Sequence, residues 1–224
     1  MSTLRIDERY AGPPGTANGG IASGLLAGTL ADPVVEVTLR RPPPLGTDLR
    51  IEAGSLYDGD LLLATAVPGR VGVDPPGGVS VAVAAATASS YGGLVDHPFP
   101  GCFVCGTGRT DGLGLRPGNV AAGHVAAVWT PADEDPVMVW AALDCPGGWS
   151  ADLPGRPLVL GRMALRLDAL PAVGEPVVVQ GWTVGTQGRK VLTGSSLRTA
   201  DGRLLALAQA TWLAIPPSAD AASP

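Results

Sequence analysis

Two widely separated segments of this chain carry the same pattern. In Val35, Val37 and Leu39 the apolar side chains take one parity, and Glu36, Thr38 and Arg40 take the other. Val159, Met163, Leu165 and Leu167 again share a parity, opposed by Arg162, Arg166 and Asp168. A period of two is what a strand with one buried face requires. Aligning Leu39-Arg40 with Leu165-Arg166 also brings Pro44-Leu45-Gly46 beside Pro171-Ala172-Val173-Gly174, with one extra residue in the second copy. The chain therefore reads as one unit of about half its length, present twice.

The 32 glycines and 22 prolines leave room for short elements only. Strand-like runs fall at residues 49–55, 61–67 and 79–87 in the first copy, and at 176–184, 189–199 and 204–215 in the second. Asp58-Gly59 and Asp201-Gly202 are natural hairpin turns. One helix is expected ahead of each set. The first spans 19–30 behind the N-cap Asn18, and the second runs from 137 to about 152 behind Asp135-Pro136, interrupted at Pro146-Gly147-Gly148. Each half is then one central helix followed by an antiparallel meander, an α+β arrangement in which one continuous sheet wraps both helices. The boundaries read as residues 1–88 for the first half, 89–119 for a Gly/Pro-rich linker, 120–215 for the second half and 216–224 for a loose tail.

Composition narrows the function. With 46% apolar and 16% charged residues the chain folds as a globule rather than staying disordered. A net charge of −5 lacks the basic surface that nucleic acid needs, and 4% aromatics supply few stacking platforms. The N-terminus is charged where a secretory signal is apolar, and no apolar run approaches the ~18 residues of a membrane span, so a cytoplasmic protein is expected. Cys102, Cys105 and Cys145 are then reduced thiols.

The string His97-Pro98-Phe99-Pro100-Gly101-Cys102-Phe103-Val104-Cys105-Gly106, then Asp111-Gly112-Leu113 and Trp140-Ala141-Ala142-Leu143-Asp144-Cys145-Pro146, resembles actinobacterial thioesterase-like proteins. Over residues 4–215 the organisation is similar to the double hotdog of the acyl-CoA thioesterase superfamily. The resemblance implies a tandem hotdog that hydrolyses acyl-CoA or acyl-carrier thioesters as a homodimer or larger homo-oligomer. It implies that Asn18-Gly19-Gly20 stands where single-hotdog relatives carry a His-Gly-Gly turn, and that Asp144 is the carboxylate of a composite site shared by the halves. It also places Gln209 where tandem relatives carry a glutamine, and apolar Leu158 where they carry a hydroxyl.

The residues themselves fit this chemistry while leaving plainer alternatives open. The first N–H groups of a helix are unpaired and lie at its positive end, and Gly19 and Gly20 let a carbonyl oxygen approach closely; the same triplet also serves as an ordinary N-cap. Asp144 sits in an apolar run where an unpaired carboxylate is costly, so it is paired, functional or a cap. Gln209 shares its parity with Leu205, Leu207 and Leu213, and either reaches the site or satisfies backbone. Arg40, Arg41, Arg166, Arg189 and Lys190 suit the CoA phosphates, or are solvated faces. Cys102 and Cys105 could join His97 and Cys145 or His124 around zinc, but no second Cys pair follows at the usual spacing, so neither metal nor cofactor is expected. A non-catalytic acyl-CoA or acyl-carrier binding protein is the alternative function, and a zinc-linked scaffold the third.

Overall fold

The computed structural model describes residues 2–151 and 156–215; the expected tail at 216–224 lies outside them. In chain order the elements are β1 (Ser2–Arg5), α1 (Gly19–Ala27), β2 (Val34–Leu39), β3 (Asp48–Glu52), β4 (Ser55–Asp58), β5 (Leu61–Pro68) and α2 (Val81–Thr87). There follow β6 (Gly118–Ala121), β7 (His124–Trp129), α3 (Pro136–Ser150), β8 (Leu158–Leu167), β9 (Val177–Gln187), β10 (Lys190–Thr199) and β11 (Leu204–Ala214). The strands form one open sheet in the order β1-β3-β4-β5-β2-β8-β11-β10-β9-β7-β6, with every pairing antiparallel. Read outward from its centre, β2-β5-β4-β3-β1 is matched by β8-β11-β10-β9-β7, and only β6 is extra. The central pair is β2 with β8, and Val37 lies opposite Met163. These two residues stand at the same offset as Leu39 and Leu165, so the halves meet at equivalent positions.

The two long helices lie in the hollow of this sheet. Thirteen residues of α3, Met138 through Ser150, are buried, which is why its sequence is apolar nearly all round. Asp135 caps it, accepting from the Val137 N–H at 2.8 Å, with Pro136 in the first turn where a missing N–H costs nothing. The expected break at Pro146 does not occur, and the helix runs through to Ser150. A proline displaces the carbonyls one turn back; here the Ser195 hydroxyl donates to the Leu143 carbonyl at 2.6 Å, and Gly181 leaves room for Pro146, where a Cβ would come within 2.3 Å. Helix α1 is shorter than expected, ending at Ala27 rather than 30, because Gly28 and Thr29 close it with a tight turn. It crosses α3 antiparallel at Gly20 and Gly24. A Cβ on Gly20 would stand 2.7 Å from the Asp144 Cβ, and one on Gly24 2.9 Å from that of Trp140.

Two further expectations are corrected. Residues 79–87 are not a strand: Ser80 caps helix α2, whose alanine-rich Val81–Thr87 packs on the outer sheet face. The alternating valines there were a misleading period of two in a segment too rich in alanine to favour a strand. In β8 the parity reverses at a bulge beside Gly161, so Leu158 and Leu160 face the helices together with Met163 and Leu165, while Val159 pairs with Leu213 on the other parity. Residues 89–119, which join the halves, contribute to the main core through Cys102, Phe103, Val104 and Cys105, all of them buried. No helix among the described residues is long and apolar enough to cross a membrane.

Candidate active site

The N-terminus of α1 ends against the middle of α3. Asn18 caps α1, its Oδ1 accepting from the Ile21 N–H at 3.0 Å, and its Nδ2 donates to Asp144 Oδ2 at 3.1 Å. The Gly20 N–H donates to the same Asp144 oxygen at 2.9 Å. Asn18, Gly20 and Asp144, from opposite halves of the chain, are thereby joined. Gly20 is engaged by the carboxyl and by helix packing, so the free donor of the pair is the Gly19 N–H, which has no acceptor among the described residues.

Asp144 is 2% exposed, and its Oδ1 has no hydrogen-bond partner among the described residues. Burial pushes its pKa up to about 7, against the opposing pull of the Gly20 N–H. A cavity of about 40 Å³ is bordered by Asn18, Gly19, Asp144, Leu158, Leu160 and Trp212, together with the three cysteines. That is room for a water or two and no more. Leu158 is fully buried at its wall. Trp212 also borders the cavity, and its indole Nε1–H, beside Gly147, is buried and without an acceptor among the described residues; the sequence reading did not single it out. Its signal was positional: Trp212 falls on the parity of Ala208 and Ala210, which the structure shows to be the helix-facing side.

Gln209 does not reach Asp144. Its parity is that of the outer face, where its Oε1 accepts from the Gly72 N–H at 2.9 Å in the segment that crosses the sheet between the halves. It satisfies backbone. The cysteines are all buried, with Cys102 Sγ and Cys145 Sγ 3.8 Å apart. Hydrogen bonds from Cys105 and Cys145 hold the Cys102 thiol below its ordinary value. His97 sits apart from Asp144, its Nδ1 accepting from Phe99 N–H and its Nε2 directed at the Cys105 carbonyl, 3.1 Å away.

Of the five basic residues, three converge. Arg40, Arg41 and Arg189 line a surface groove of about 440 Å³ that shares Pro13, Gly19, Val159 and Leu160 with the cavity wall. None of the three forms an ion pair among the described residues. Arg166 lies elsewhere, paired with Asp168 at 3.0 Å opposite Val34, and Lys190 is an exposed residue at the start of β10 outside the groove lining.

This architecture is found in solved proteins. The tesB protein of Mycobacterium avium subsp. paratuberculosis superposes with a TM-score of 0.63 at 12% identity, covering 96% of this chain and 92% of its own. A hot dog fold protein from Alicyclobacillus acidocaldarius gives 0.63 at 11% identity, covering 96% and 93%. The fold is a double hotdog. An acyl-CoA thioesterase II from Mycobacterium marinum also matches, with a TM-score of 0.56 at 11% identity over 89% of this chain and 91% of its own. No protein-family model matches the chain, and no curated protein matches it in sequence. At such identities the likeness establishes the double hotdog and leaves the chemistry to the site itself.

Proposed function

We propose that this double hotdog is an acyl-CoA thioesterase. The observation that carries the reading is the buried Asp144 of one half, held through Oδ2 by the helix N-terminus of the other, its Oδ1 unpartnered among the described residues, bordering a cavity whose wall continues into an arginine groove. Arg40, Arg41 and Arg189 suit the phosphates of CoA, because guanidinium groups bind phosphate through charge-assisted pairs. The thioester carbonyl then lies at Gly19. Asp144 Oδ1 takes a proton from a water as its oxygen bonds to the carbonyl carbon. The Gly19 N–H and the Trp212 Nε1–H receive the developing oxyanion. When the tetrahedral intermediate collapses, the carbon–sulfur bond breaks, and the CoA thiolate leaves with the proton that Asp144 held. Product acid and free thiol balance the water consumed. The reading further places the protein in the cytoplasm, acting on CoA or carrier thioesters as a homodimer or larger assembly.

A second reading, acyl-CoA binding without turnover, draws support from Leu158, an apolar wall where tandem relatives are expected to carry a hydroxyl. One experiment separates the two. Wild type and Asp144→Asn are incubated with short, medium, long-chain and aryl acyl-CoAs while free thiol and ligand binding are followed. Thiol release by wild type, reduced at least about 10²-fold in the variant, is the expected result. Binding by both proteins with release by neither replaces the enzyme with the binding protein, and binding by neither removes CoA thioesters as ligands.

A further inference from the structure

The hydrolytic reading leaves the three buried thiols without a role. They come from distant places: Cys102 and Cys105 from the turn that connects the halves, and Cys145 from the middle of α3. All three Sγ atoms nevertheless lie within 4.8 Å of one another. A tetrahedral zinc with Zn–S bonds of about 2.3 Å sets its sulfurs about 3.8 Å apart. Cys102 and Cys145 are 3.8 Å apart as they stand. A disulfide, at about 2.05 Å, would draw in two of the sulfurs and leave the third unpaired.

Side-chain donors also reach the sulfurs. The Trp149 Nε1–H donates to Cys105 Sγ at 3.3 Å, and Asn18 Nδ2 lies 3.7 Å from Cys102 Sγ and 3.9 Å from Cys145 Sγ. Donors of this kind around sulfur orient metal ligands. The turn is rigid: the Gly106 N–H donates to the Cys102 carbonyl at 2.8 Å, and a Cβ on Gly106 would come within 2.4 Å of the Pro100 carbonyl oxygen. Neither histidine supplies a fourth ligand. His97 is occupied at both ring nitrogens, and His124 contacts Gln180 on β9. What remains is the cavity that the three cysteines border together with Asp144, whose Oδ1 is buried without a partner among the described residues.

We propose that Cys102, Cys105 and Cys145 bind one zinc ion, its fourth position turned toward the cavity where a solvent ligand meets Asp144 Oδ1. Three thiolates and one open position form a soft, closed-sided site selective for zinc over harder cations. The site ties the connecting turn to α3, and it exists whether or not the protein hydrolyses thioesters, so its test does not depend on turnover.

The full-length protein is purified under reductant without chelator and its zinc content measured. The chelator-stripped chain is then titrated with cobalt. One zinc per chain is expected, with cobalt giving sulfur-to-metal charge transfer and the d–d bands of a tetrahedral ion. Cys105→Ser is expected to weaken cobalt binding more than about 100-fold, and Trp149→Phe about tenfold, with His97→Asn unchanged. Absence of both retained zinc and charge transfer overturns the site. So does a Cys105→Ser protein with native circular dichroism that binds cobalt as tightly as wild type. Should the cysteine variants not fold, the unaltered chain still decides: its thiols react with an aromatic disulfide faster once chelator is added if zinc covers them, and equally fast with and without chelator if it does not.

Discussion

Trp212 and Gly19 set the expectations at the level of single residues. A buried indole N–H without an acceptor is costly, and the proposed mechanism offsets that cost by giving it the oxyanion as acceptor. Replacing Trp212 with Phe removes the donor together with the outer ring of the indole, whose Cζ2, Cζ3 and Cη2 pack on Gly148. We expect kcat for acyl-CoA hydrolysis to fall about 10²-fold with little change in KM, as for loss of one oxyanion donor. An unchanged kcat would show that the indole serves packing alone. Asp144 differs in kind, because two donors and its burial act against each other at one carboxyl. Its identity was readable from the sequence as a carboxylate in an apolar run. Which of its oxygens is free was not, since that depends on where the other helix ends.

Among elements, the crossing of α1 and α3 is the joint on which the site depends. Gly20 and Gly24 let the helices approach until the Asp144 carboxyl meets the Gly20 N–H. Gly20→Ala would place a methyl 2.7 Å from both the Asp144 Cβ and the Trp140 carbonyl oxygen. We expect a loss of about 1–3 kcal/mol in urea unfolding, the usual cost of forcing an extra methyl into a packed core. Gly28→Ala, at the C-cap of the same helix, has its nearest neighbour at 3.5 Å and a right-handed φ of −61°, so it should be neutral or stabilising by about 0.4–1 kcal/mol. Equal effects of the two substitutions would contradict this account of the crossing. The sequence showed Gly20 as a helix start with an accessible N–H; its role as a contact point between helices needed the partner helix to be in view.

For the whole molecule, the duplicated sheet gathers Arg40 and Arg41 from one half and Arg189 from the other into one groove. Substituting each by alanine should raise KM for acyl-CoA about tenfold, with kcat little changed. A thioester of a short thiol that lacks the nucleotide should be hydrolysed equally well by all variants; if it is impaired equally, the arginines do not read the phosphates. The outer face supplies a test of global stability. Gln180 Nε2 lies 3.1 Å from the Gly77 carbonyl, to which it donates, and 3.0 Å from His124 Nε2. Burial lowers the His124 pKa below its ordinary 6.5, so the unfolded chain binds the proton more readily. The contribution is complete above pH 6.5 and is lost as pH falls through that value toward the folded pKa. Urea midpoints measured from pH 7.5 to 5.5 should decline more steeply for wild type than for His124→Gln, and parallel declines would assign the acid sensitivity elsewhere.

The sequence by itself determined the duplication, the α+β architecture, the two central helices and the hairpins at Asp58-Gly59 and Asp201-Gly202, because period, caps and turn chemistry are local properties. It also singled out Asn18 and Asp144, since an N-cap and a carboxylate in an apolar run are conspicuous without neighbours. Only the tertiary structure decided which sheet face each strand turns inward. A bulge in β8 reversed one parity, and the outer covering took Gln209 away from the helices. It likewise decided that the Cys-Phe-Val-Cys turn is buried core, that three of the five basic residues converge, and that three cysteines meet. Those outcomes are contacts between residues far apart in the chain, and the folded sheet brings them together where local pattern carries no record of them.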